Sequence, residues 1–366
     1  MLYRSKTAAV SEFPKGRTSH MKLENILKIK ENCIDDISEI LSGINVRGKI
    51  LFISDDVVDN LYGERVRTQL EGLNDSVELI TELISGNTLS YAMAFAEKII
   101  SMDVDYIIGL GGGKVLDVSK YAAYISKRPF VSIPTTVASD GVASPVAVLM
   151  RQDGKPMSLN CAMPEVIIID VGLIMNSPKA LIKAGIGDTI SNYMALIDWD
   201  YACKHGKDDM NGFAYLMSQT ALDALLKTKY NSITPDFIRV LADSHVLSGI
   251  AMNFAGSSRP VSGSEHLFSH ALDYYCDKRN LHGLQVALGT VAILKLIGED
   301  YSEVLDYLFR FSVDINPESL GITSDVFVRC MQEAPNMRKN RFTCLHTKNL
   351  SDNRLKELYK ELVSEL

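Results

Sequence analysis

Three of the seven histidines, His266, His270 and His282, lie within 17 positions of one another. His266 and His270 are four apart, so on a helix they would share one face. His282 begins the next helical pattern, and a helix hairpin would bring it opposite the first two. Neutral imidazoles joined by a carboxylate suit a divalent transition metal. The alternative is that these histidines are packed and hydrogen-bonded within helices without a ligand.

A carboxylate for such a site is offered by Asp188, in the sequence Gly185-Ile186-Gly187-Asp188-Thr189. Two glycines before an acidic residue at a helix start indicate a tightly placed side chain. The alternative is that Asp188 caps the helix, which would contribute about 1 kcal/mol.

A second group of residues suits a phosphate. The apolar run Val104–Ile108 predicts a buried strand, the glycine-rich stretch 109–113 follows it, and a helical pattern begins at Lys114. Such a turn lets the backbone approach a ligand and directs unpaired N–H groups at a phosphate or pyrophosphate. The spacing departs from the G-x-G-x-x-G fingerprint, and the alternative is an ordinary turn between strand and helix.

The following strand leads to the same edge of the predicted sheet. Phe130–Ile133 runs into Thr135 and Thr136 and then into a loop of small and polar residues, 138–144. Open α/β folds bind ligands in the crevice at the carboxyl ends of neighbouring strands. We therefore expect a nucleotide site between the glycine turn and this loop.

An acidic residue, Asp55, comes just after the predicted strand Lys49–Ile53. A carboxylate in this place can bind a ribose hydroxyl and would repel a 2′-phosphate, which favours NAD over NADP. The alternative is that Asp55 caps the helix that follows.

The elements that must position these residues divide the chain in two. Strands and helices alternate up to Asp170, which is typical of a parallel, doubly wound sheet. From Pro178 onward helical periodicity dominates. We expect an α/β nucleotide-binding domain over residues 1–173 and an all-α domain that binds metal and substrate over residues 174–366. The predicted elements, besides those given above, are a helix from Leu23 to Ile40, the strands Val77–Ile80, Val146–Met150 and Val166–Asp170, and C-terminal helices near 188–204, 212–230, 235–254, 263–277, 282–297, 302–313 and 323–333.

Composition excludes several classes of protein. The net charge is −7 and the pI is near 5.6, whereas a nucleic-acid binder needs a basic surface. No apolar run approaches the ~18 residues of a membrane span, and the start MLYRSKTAAVSEFPKG does not resemble a secretory signal. The six cysteines form no C-x-x-C pair, which favours free thiols in a reducing cytoplasm.

The chain resembles the glycerol-1-phosphate dehydrogenases in five ordered motifs: GLGGGKVLDVSKYAA, PTTVASDGVASP, GIGDTISNY, SSRPVSGSEHLFSHALD and HGLQVALGT. That family lies in the superfamily of iron-containing alcohol dehydrogenases, glycerol dehydrogenases and dehydroquinate synthases. The resemblance spans roughly Lys49 to Leu296. It implies a dehydroquinate synthase-like fold with a deep cleft between two domains, NAD or NADP as cofactor, and a homo-oligomer.

The resemblance also implies roles for individual residues. Asp188, His266 and His282 would bind one divalent metal, either zinc, iron or nickel. Asp140 and His270 would act in substrate binding and catalysis. Arg259 would bind the substrate phosphate, with an inter-helix salt bridge as its alternative role, and Ser144 could assist it. The residues implied for the cofactor are Asp55 at the adenosine ribose, Gly111, Gly112, Gly113 and Lys114 at the pyrophosphate, Thr135 and Thr136 at the nicotinamide, and also Asp117 and Ser144.

The implied reaction interconverts sn-glycerol 1-phosphate and dihydroxyacetone phosphate. Ser139 departs from the family loop PTxxSHDGxASP, which carries histidine there, so glycerol or another small polyol is an alternative substrate. A lyase of the dehydroquinate synthase type would need more basic residues near the motifs. A catalytically silent nucleotide-binding protein would be marked by lost metal ligands, whereas all three are present.

Overall fold

The computed structural model describes residues 26–44, 46–73 and 77–366. The predicted absence of a signal segment concerns residues outside this range, and so does the start of the predicted helix 23–40. The strands are β1 (Ile26–Lys30), β2 (Gly48–Ser54), β3 (Val77–Leu83), β4 (Tyr106–Gly111), β5 (Phe130–Pro134), β6 (Val146–Met150), β7 (Pro156–Asn160) and β8 (Val166–Asp170).

The helices between and after the strands are α1 (Ile37–Ser42), α2 (Asp56–Val58), α3 (Glu64–Glu71), α4 (Leu89–Met102), α5 (Gly113–Ser126), α6 (Val171–Met175), α7 (Lys179–Ile190), α8 (Asn192–Lys204), α9 (Gly212–Leu226), α10 (Pro235–Ala255), α11 (Ser264–Tyr275), α12 (His282–Ile297), α13 (Ser302–Arg310), α14 (Ser324–Glu333) and α15 (Asp352–Glu365).

Six strands of the described residues form one parallel sheet in the order β1-β8-β5-β4-β2-β3. Its central strands β4, β5 and β8 are almost entirely buried, as expected where helices cover both faces of a sheet. The strand order reverses between β2 and β4. Ligands bind at the carboxyl ends of strands at such a switch point, and β2 and β4 end at Asp55 and at the glycine turn.

The edge strand β1 is attached to β8 by more than the sheet ladder. The buried Asp170 carboxylate, at the end of β8, accepts hydrogen bonds from the backbone N–H groups of Asn32 (3.2 Å) and Ile34 (3.1 Å). It also accepts from Gly172 N–H (2.9 Å), which caps α6 and begins the helical half.

The predicted fold class, a parallel sheet followed by an all-helical part, is confirmed. One buried hydrophobic cluster runs from the sheet into the helices, from Leu51 on β2 to Leu362 on α15. No described helix has the length and hydrophobicity to cross a membrane. All six cysteines are free thiols, and Cys33, Cys330 and Cys344 are buried.

Three predictions about elements were wrong. The described part of the predicted helix 23–40 is β1 followed by a 3₁₀ turn and α1, because the backbone of Ile26–Lys30 pairs with β8. Val146–Met150 is a strand, but it lies outside the parallel sheet in an antiparallel hairpin with β7, which the sequence analysis missed. Asp188 lies inside α7 and not at a helix start, so it is not an N-cap.

Candidate active site

Asp188 on α7, His266 on α11 and His282 on α12 converge, and we call them the Asp–His–His triad. One ligand atom from each lies within 4.8 Å of the others. Nε2 of His282 is 3.6 Å from Oδ1 of Asp188, and the two imidazole rings have centroids 4.9 Å apart. His270 is not part of this group, although it shares a helix face with His266.

Glycines allow the helices that carry the triad to meet. A Cβ atom on Gly283, the residue after His282, would lie 1.8 Å from the carbonyl oxygen of Ala184 on α7. Any side chain there would push α12 away from α7, and His282 away from Asp188. The tight placement predicted from the two glycines before Asp188 is therefore matched by a glycine on the facing helix.

A chain of hydrogen bonds fixes the ring of His282. The Ser269 hydroxyl donates to Oε1 of Gln285 (2.7 Å), whose Nε2 donates to Asp273 (3.2 Å). The Ser269 oxygen is then an acceptor for the N–H at Nδ1 of His282, 3.1 Å away. The Nε2 lone pair of His282 is thereby directed at the triad, as outer partners of metal-binding histidines do.

Glu265 does the same for His266. Its Oε1 lies 2.7 Å from Nδ1 of His266 and also accepts the Gly263 N–H (2.7 Å). Glu265 is fully buried, and burial raises its pKa to about 7. Nε2 of His266 remains as an acceptor for a ligand.

The charge states of the triad suit a cation. Burial lowers the pKa of His266 and of His282 to about 3, so both imidazoles are neutral and keep a lone pair. Burial, and next the charge of Asp140, raise the pKa of Asp188 well above its usual range, because a lone buried carboxylate lacks a positive partner. One carboxylate and two neutral imidazoles are a fitting set for a divalent transition metal.

The loop after β5 connects the triad to the sheet. The backbone N–H of Asp140 donates to Oδ2 of Asp188 (2.9 Å). Burial raises the pKa of the Asp140 carboxyl to about 6. Ser139, which stands in the place of the family histidine, caps the short 3₁₀ turn of Asp140 by accepting from Gly141 N–H (3.3 Å). Ser144 N–H donates back to the Asp140 carbonyl (2.9 Å).

A buried lysine that the sequence analysis missed holds this loop. Nζ of Lys120 donates to the carbonyls of Gly141 (2.7 Å) and Val146 (2.8 Å) and lies 3.8 Å from Asp117. Asp117, predicted at the cofactor, thus contacts Lys120, and burial raises its pKa to about 6. The sequence signal was an acidic and a basic residue, Asp117 and Lys120, three positions apart in α5.

The glycine turn has the form of a phosphate cradle. Gly112 provides no side-chain cap for α5, and no acidic residue lies in the first turn. Gly113 and Lys114 are exposed, and a Cβ on Gly113 would meet no atom within 4 Å. A Cβ on Gly111 would lie 2.5 Å from Val115, so the turn requires glycine there. Free N–H groups at an open helix start suit a pyrophosphate.

The two threonines lie beside this turn. Thr135 N–H donates to the Gly111 carbonyl (3.0 Å), and the Thr136 methyl lies next to Gly112. The Thr136 hydroxyl is buried and has no hydrogen-bond partner among the described residues. An unpaired buried hydroxyl at the edge of the cradle fits a bound ligand that supplies the missing hydrogen bond.

Asp55 caps α2, as its alternative role predicted. Both capping bonds, from Val57 N–H and Val58 N–H (3.0 Å each), go to Oδ1. Oδ2 is therefore left as an acceptor at the end of β2.

Two predicted substrate residues have partners within the protein. Nε2 of His270 accepts from Nη2 of Arg338 (3.2 Å), and burial, then the Arg338 charge, lowers the His270 pKa well below its usual range. Arg259 is buried and donates from Nε to Asp208, so it forms a salt bridge, but to the loop between α8 and α9 and not between two helices. The other two nitrogens of Arg259 have no hydrogen-bond partner in the part of the chain that the structure describes.

Sequence reasoning missed the residues that support the triad. They are Glu265, Ser269, Asp273 and Gln285, together with Arg338 and Arg341 near His270. Glu265 and Ser269 lie inside the motif SGSEHLFSHALD, so their neighbourhood was marked but their partners were not. The two arginines follow α14, more than 50 positions after His282, and no motif included them.

Comparison with known proteins identifies the family. Residues 28–178 match the family model described as iron-containing alcohol dehydrogenase. Glycerol-1-phosphate dehydrogenase [NAD(P)+] of Methanosarcina mazei is 31% identical over 334 residues, covering 90% of this chain and 93% of the relative. The enzyme of the same name from Aeropyrum pernix is 36% identical over 327 residues, covering 87% and 90%.

Solved structures agree on the fold. A probable glycerol dehydrogenase from Sinorhizobium meliloti 1021 superposes with a TM-score of 0.75 at 19% identity, covering 93% of this chain and 96% of that one. The identity and coverage of the sequence relatives show that the chain belongs to the glycerol-1-phosphate dehydrogenase family.

Proposed function

We propose that the protein is a metal-dependent, NAD(P)-linked oxidoreductase that interconverts sn-glycerol 1-phosphate and dihydroxyacetone phosphate. The observation that carries the proposal is the hydrogen bond from Asp140 N–H to Asp188 (2.9 Å). It joins the Asp–His–His triad to the loop that begins at Thr135 and Thr136, beside the glycine turn. A metal at the triad and a nicotinamide at the threonines would therefore adjoin the same loop.

The relatives support the reaction class. Their names give glycerol 1-phosphate as substrate and NAD(P)+ as cofactor, and the matching family model is described as iron-containing. NAD(P) and a divalent metal are accordingly expected for this family. Zinc, iron and nickel all tolerate one carboxylate with two imidazoles.

In this proposal Asp188, His266 and His282 hold the cation, which when bound supplies Lewis acidity that lowers the pKa of a coordinated alcohol. Asp140 binds a substrate hydroxyl or relays its proton. Its pKa of about 6 lets the carboxyl take up and release a proton near neutral pH. His270 is held neutral and orients the substrate from the next turn of α11.

The glycine turn, with Gly111, Gly112, Gly113 and Lys114, would bind the cofactor pyrophosphate. Thr136 would donate its unpaired hydroxyl near the nicotinamide, and Oδ2 of Asp55 would accept from the adenosine ribose. The negative charge of Asp55 favours NAD over NADP. Asp117 and Ser144 would support the cofactor indirectly, because they help to hold the loop that follows β5.

Glycerol is the second candidate substrate, because Ser139 caps its own turn where the family has a pocket histidine.

We further propose that residues 1–173 form the nucleotide-binding domain and that residues 174–366 form the metal- and substrate-binding domain. We also propose that the enzyme is a homo-oligomer and that it is cytoplasmic.

The test is a spectrophotometric assay on metal-stripped protein reconstituted with zinc, iron or nickel. Reduction of NAD⁺ and NADP⁺ is followed with glycerol 1-phosphate, glycerol 3-phosphate and glycerol. We expect turnover with glycerol 1-phosphate, and only after metal is restored. Full activity of the stripped protein would refute the metal role. Turnover of a phosphorylated substrate without a net change in NADH would instead favour a lyase of the dehydroquinate synthase type.

Variants locate the site. Asp188→Asn and His266→Ala should abolish turnover and metal uptake without loss of helical content. Asp306→Asn, an exposed carboxylate on α13, is the matched control and should retain both. Asp140→Ala should change kcat or KM, and unchanged values of both would remove Asp140 from the mechanism.

A further inference from the structure

Two arginines that follow α14 lie beside His270. Arg338 donates from Nη2 to His270 Nε2 (3.2 Å) and to Ser158 Oγ (3.1 Å). Nη1 of Arg338 (3.2 Å) and Nη2 of Arg341 (2.9 Å) both donate to Ser258 Oγ. Ser258 thus holds the two guanidinium groups side by side.

Arg259 extends this arginine group, which we call the arginine cluster (Arg259, Arg338 and Arg341). Its Nε is paired with Asp208, while Nη1 and Nη2 are buried and find no partner within residues 26–44, 46–73 and 77–366. Burial, followed by the charges of Arg338 and Arg259, lowers the pKa of Arg341 to about 9. The charges of Arg338 and Arg259 therefore both act on Arg341.

The three positive charges of the cluster face two carboxylates, those of Asp208 and of the buried Glu265, whose charges both act on Arg341. Among the described residues, neither Arg338 nor Arg341 has a carboxylate within ion-pair distance, and their hydrogen bonds go to neutral groups. Buried charges are costly unless an anion accompanies them. A bound anion would also supply hydrogen-bond acceptors for Nη1 and Nη2 of Arg259.

The cluster is also near the reacting end of the site. The charge of Arg338 is felt by His266, His270 and His282, in each of which it contributes to the lowered pKa. Ser158 lies on β7, in the sheet-bearing half of the chain, so Arg338 bridges that half and the helical half. Arg338 contacts His270, which lies one helical turn after His266 on α11.

Guanidinium groups bind phosphate oxygens through paired N–H donors, and an unphosphorylated polyol offers them no charge. We propose that Arg338 and Arg341, together with Arg259, form the phosphate clamp of the active site and select a polyol phosphate over the free polyol. This proposal rests on the proposed function, because it assigns the phosphate end of that substrate. It adds two residues that neither the motifs nor the comparisons mark.

The test first measures binding of inorganic phosphate to the metal-stripped protein by calorimetry. Arg338→Gln and Arg341→Gln should raise the phosphate Kd by about 10- to 100-fold, as expected for a lost charged hydrogen bond. Arg338→Lys should restore part of the affinity, since it keeps the charge but not the paired donors. Lys339→Gln removes one positive charge from the same loop, is exposed, and should bind phosphate like the wild type.

Kinetics of the metal-loaded variants give the second readout. Arg338→Gln should raise the KM for glycerol 1-phosphate by a much larger factor than it changes the KM for glycerol, because only the first substrate carries a phosphate. Equal losses with both substrates would indicate a structural role and overturn the clamp. So would a wild-type protein that does not bind phosphate, or Gln variants that bind it normally.

The two proposals can fail separately. If the wild type oxidises glycerol 1-phosphate but Arg338→Gln and Arg341→Gln bind phosphate normally, the clamp is wrong and the function stands. If phosphate binding depends on the arginines but no polyol reduces NAD(P)⁺, the clamp stands and the reaction is wrong. Arg338 is only half-buried, so Arg338→Gln and Arg338→Lys keep the test valid should Arg341→Gln fail to fold.

Discussion

Gly187 on α7 and Gly283 on α12 cross so closely that a Cβ on Gly187 would lie 2.2 Å from the Gly283 carbonyl oxygen. Each glycine is the immediate neighbour of a triad residue, Asp188 in one helix and His282 in the other. The separation of the two ligand residues is therefore set by backbone against backbone, with no side chain between.

Gly187→Ala should consequently separate Asp188 from His282. We expect lower metal affinity and a loss of unfolding free energy on the order of 1–3 kcal/mol from overpacking. Metal content after dialysis and the denaturation midpoint measure the two effects. Gly212→Ala is the control, since a Cβ there meets no atom within 4 Å; a metal content for Gly187→Ala equal to that of this control would show that the crossing does not set the site.

Ser269→Ala should weaken metal binding without removing a ligand. The N–H at Nδ1 of His282 would lose its acceptor, and the ring could turn or exchange tautomers. Loss of such an outer partner typically costs 10- to 100-fold in metal affinity. Titration with cobalt, read by its visible spectrum, measures the Kd. Ser364→Ala, exposed on α15, should give the wild-type value.

His245 predicts a pH dependence of stability. It is buried, donates from Nε2 to the Val137 carbonyl (3.1 Å), and burial lowers its pKa to about 4 from 6.5. Between pH 6.5 and pH 4 this histidine is protonated in the unfolded chain but neutral in the folded protein. The contribution of His245 to the free energy of unfolding is therefore complete above pH 6.5 and decreases as the pH falls towards 4.

Denaturation of metal-free protein at pH 7.5, 6 and 5 tests this. The wild type should lose up to about 2 kcal/mol through His245 over this window. His245→Gln should be destabilised at pH 7.5, yet it should lose less as the pH falls. His205→Gln, at an exposed histidine, should keep the wild-type slope; parallel slopes for all three proteins would contradict the assignment.

Lys120→Met should destabilise the protein strongly. It removes the donor to the Gly141 and Val146 carbonyls and leaves Asp117 buried without its cation, which typically costs 3–5 kcal/mol. Lys98→Met breaks a surface pair with Glu82 and should cost at most about 1 kcal/mol. Urea midpoints of the two variants give the comparison, and similar midpoints would mean that the buried lysine contributes little.

The sequence predicted the central strands because β4, β5 and β8 are almost continuous apolar runs. β4 and β5 are the clearest cases, since they end in a glycine turn and in a pair of threonines, and the predicted nucleotide site lies where they end. Residues 23–40 were mistaken for a helix because a short edge strand and a helix share apolar spacing. Only the pairing of β1 with β8, distant in sequence, separates the two possibilities.

The arrangement of the triad likewise depends on contacts between residues that are distant in sequence. Helical spacing paired His266 with His270, whereas the structure brings His282 to His266, as the family resemblance implied. The crossing of α7 with α12 decides this, and no local pattern records it. Ser269, Gln285 and Arg338 were missed because their roles depend on side-chain contacts between residues 13 to 68 positions apart.

The attachment of β1 to β8 also has a consequence for how the chain is made. Asp170 binds the N–H of Ile34 across 136 residues of sequence. A ribosome adding roughly 5–20 residues per second needs roughly 7 to 27 seconds to synthesise that interval. β1 is the first described strand to be synthesised, but its neighbour in the sheet is β8, so β1 can pair only after β8 has been synthesised.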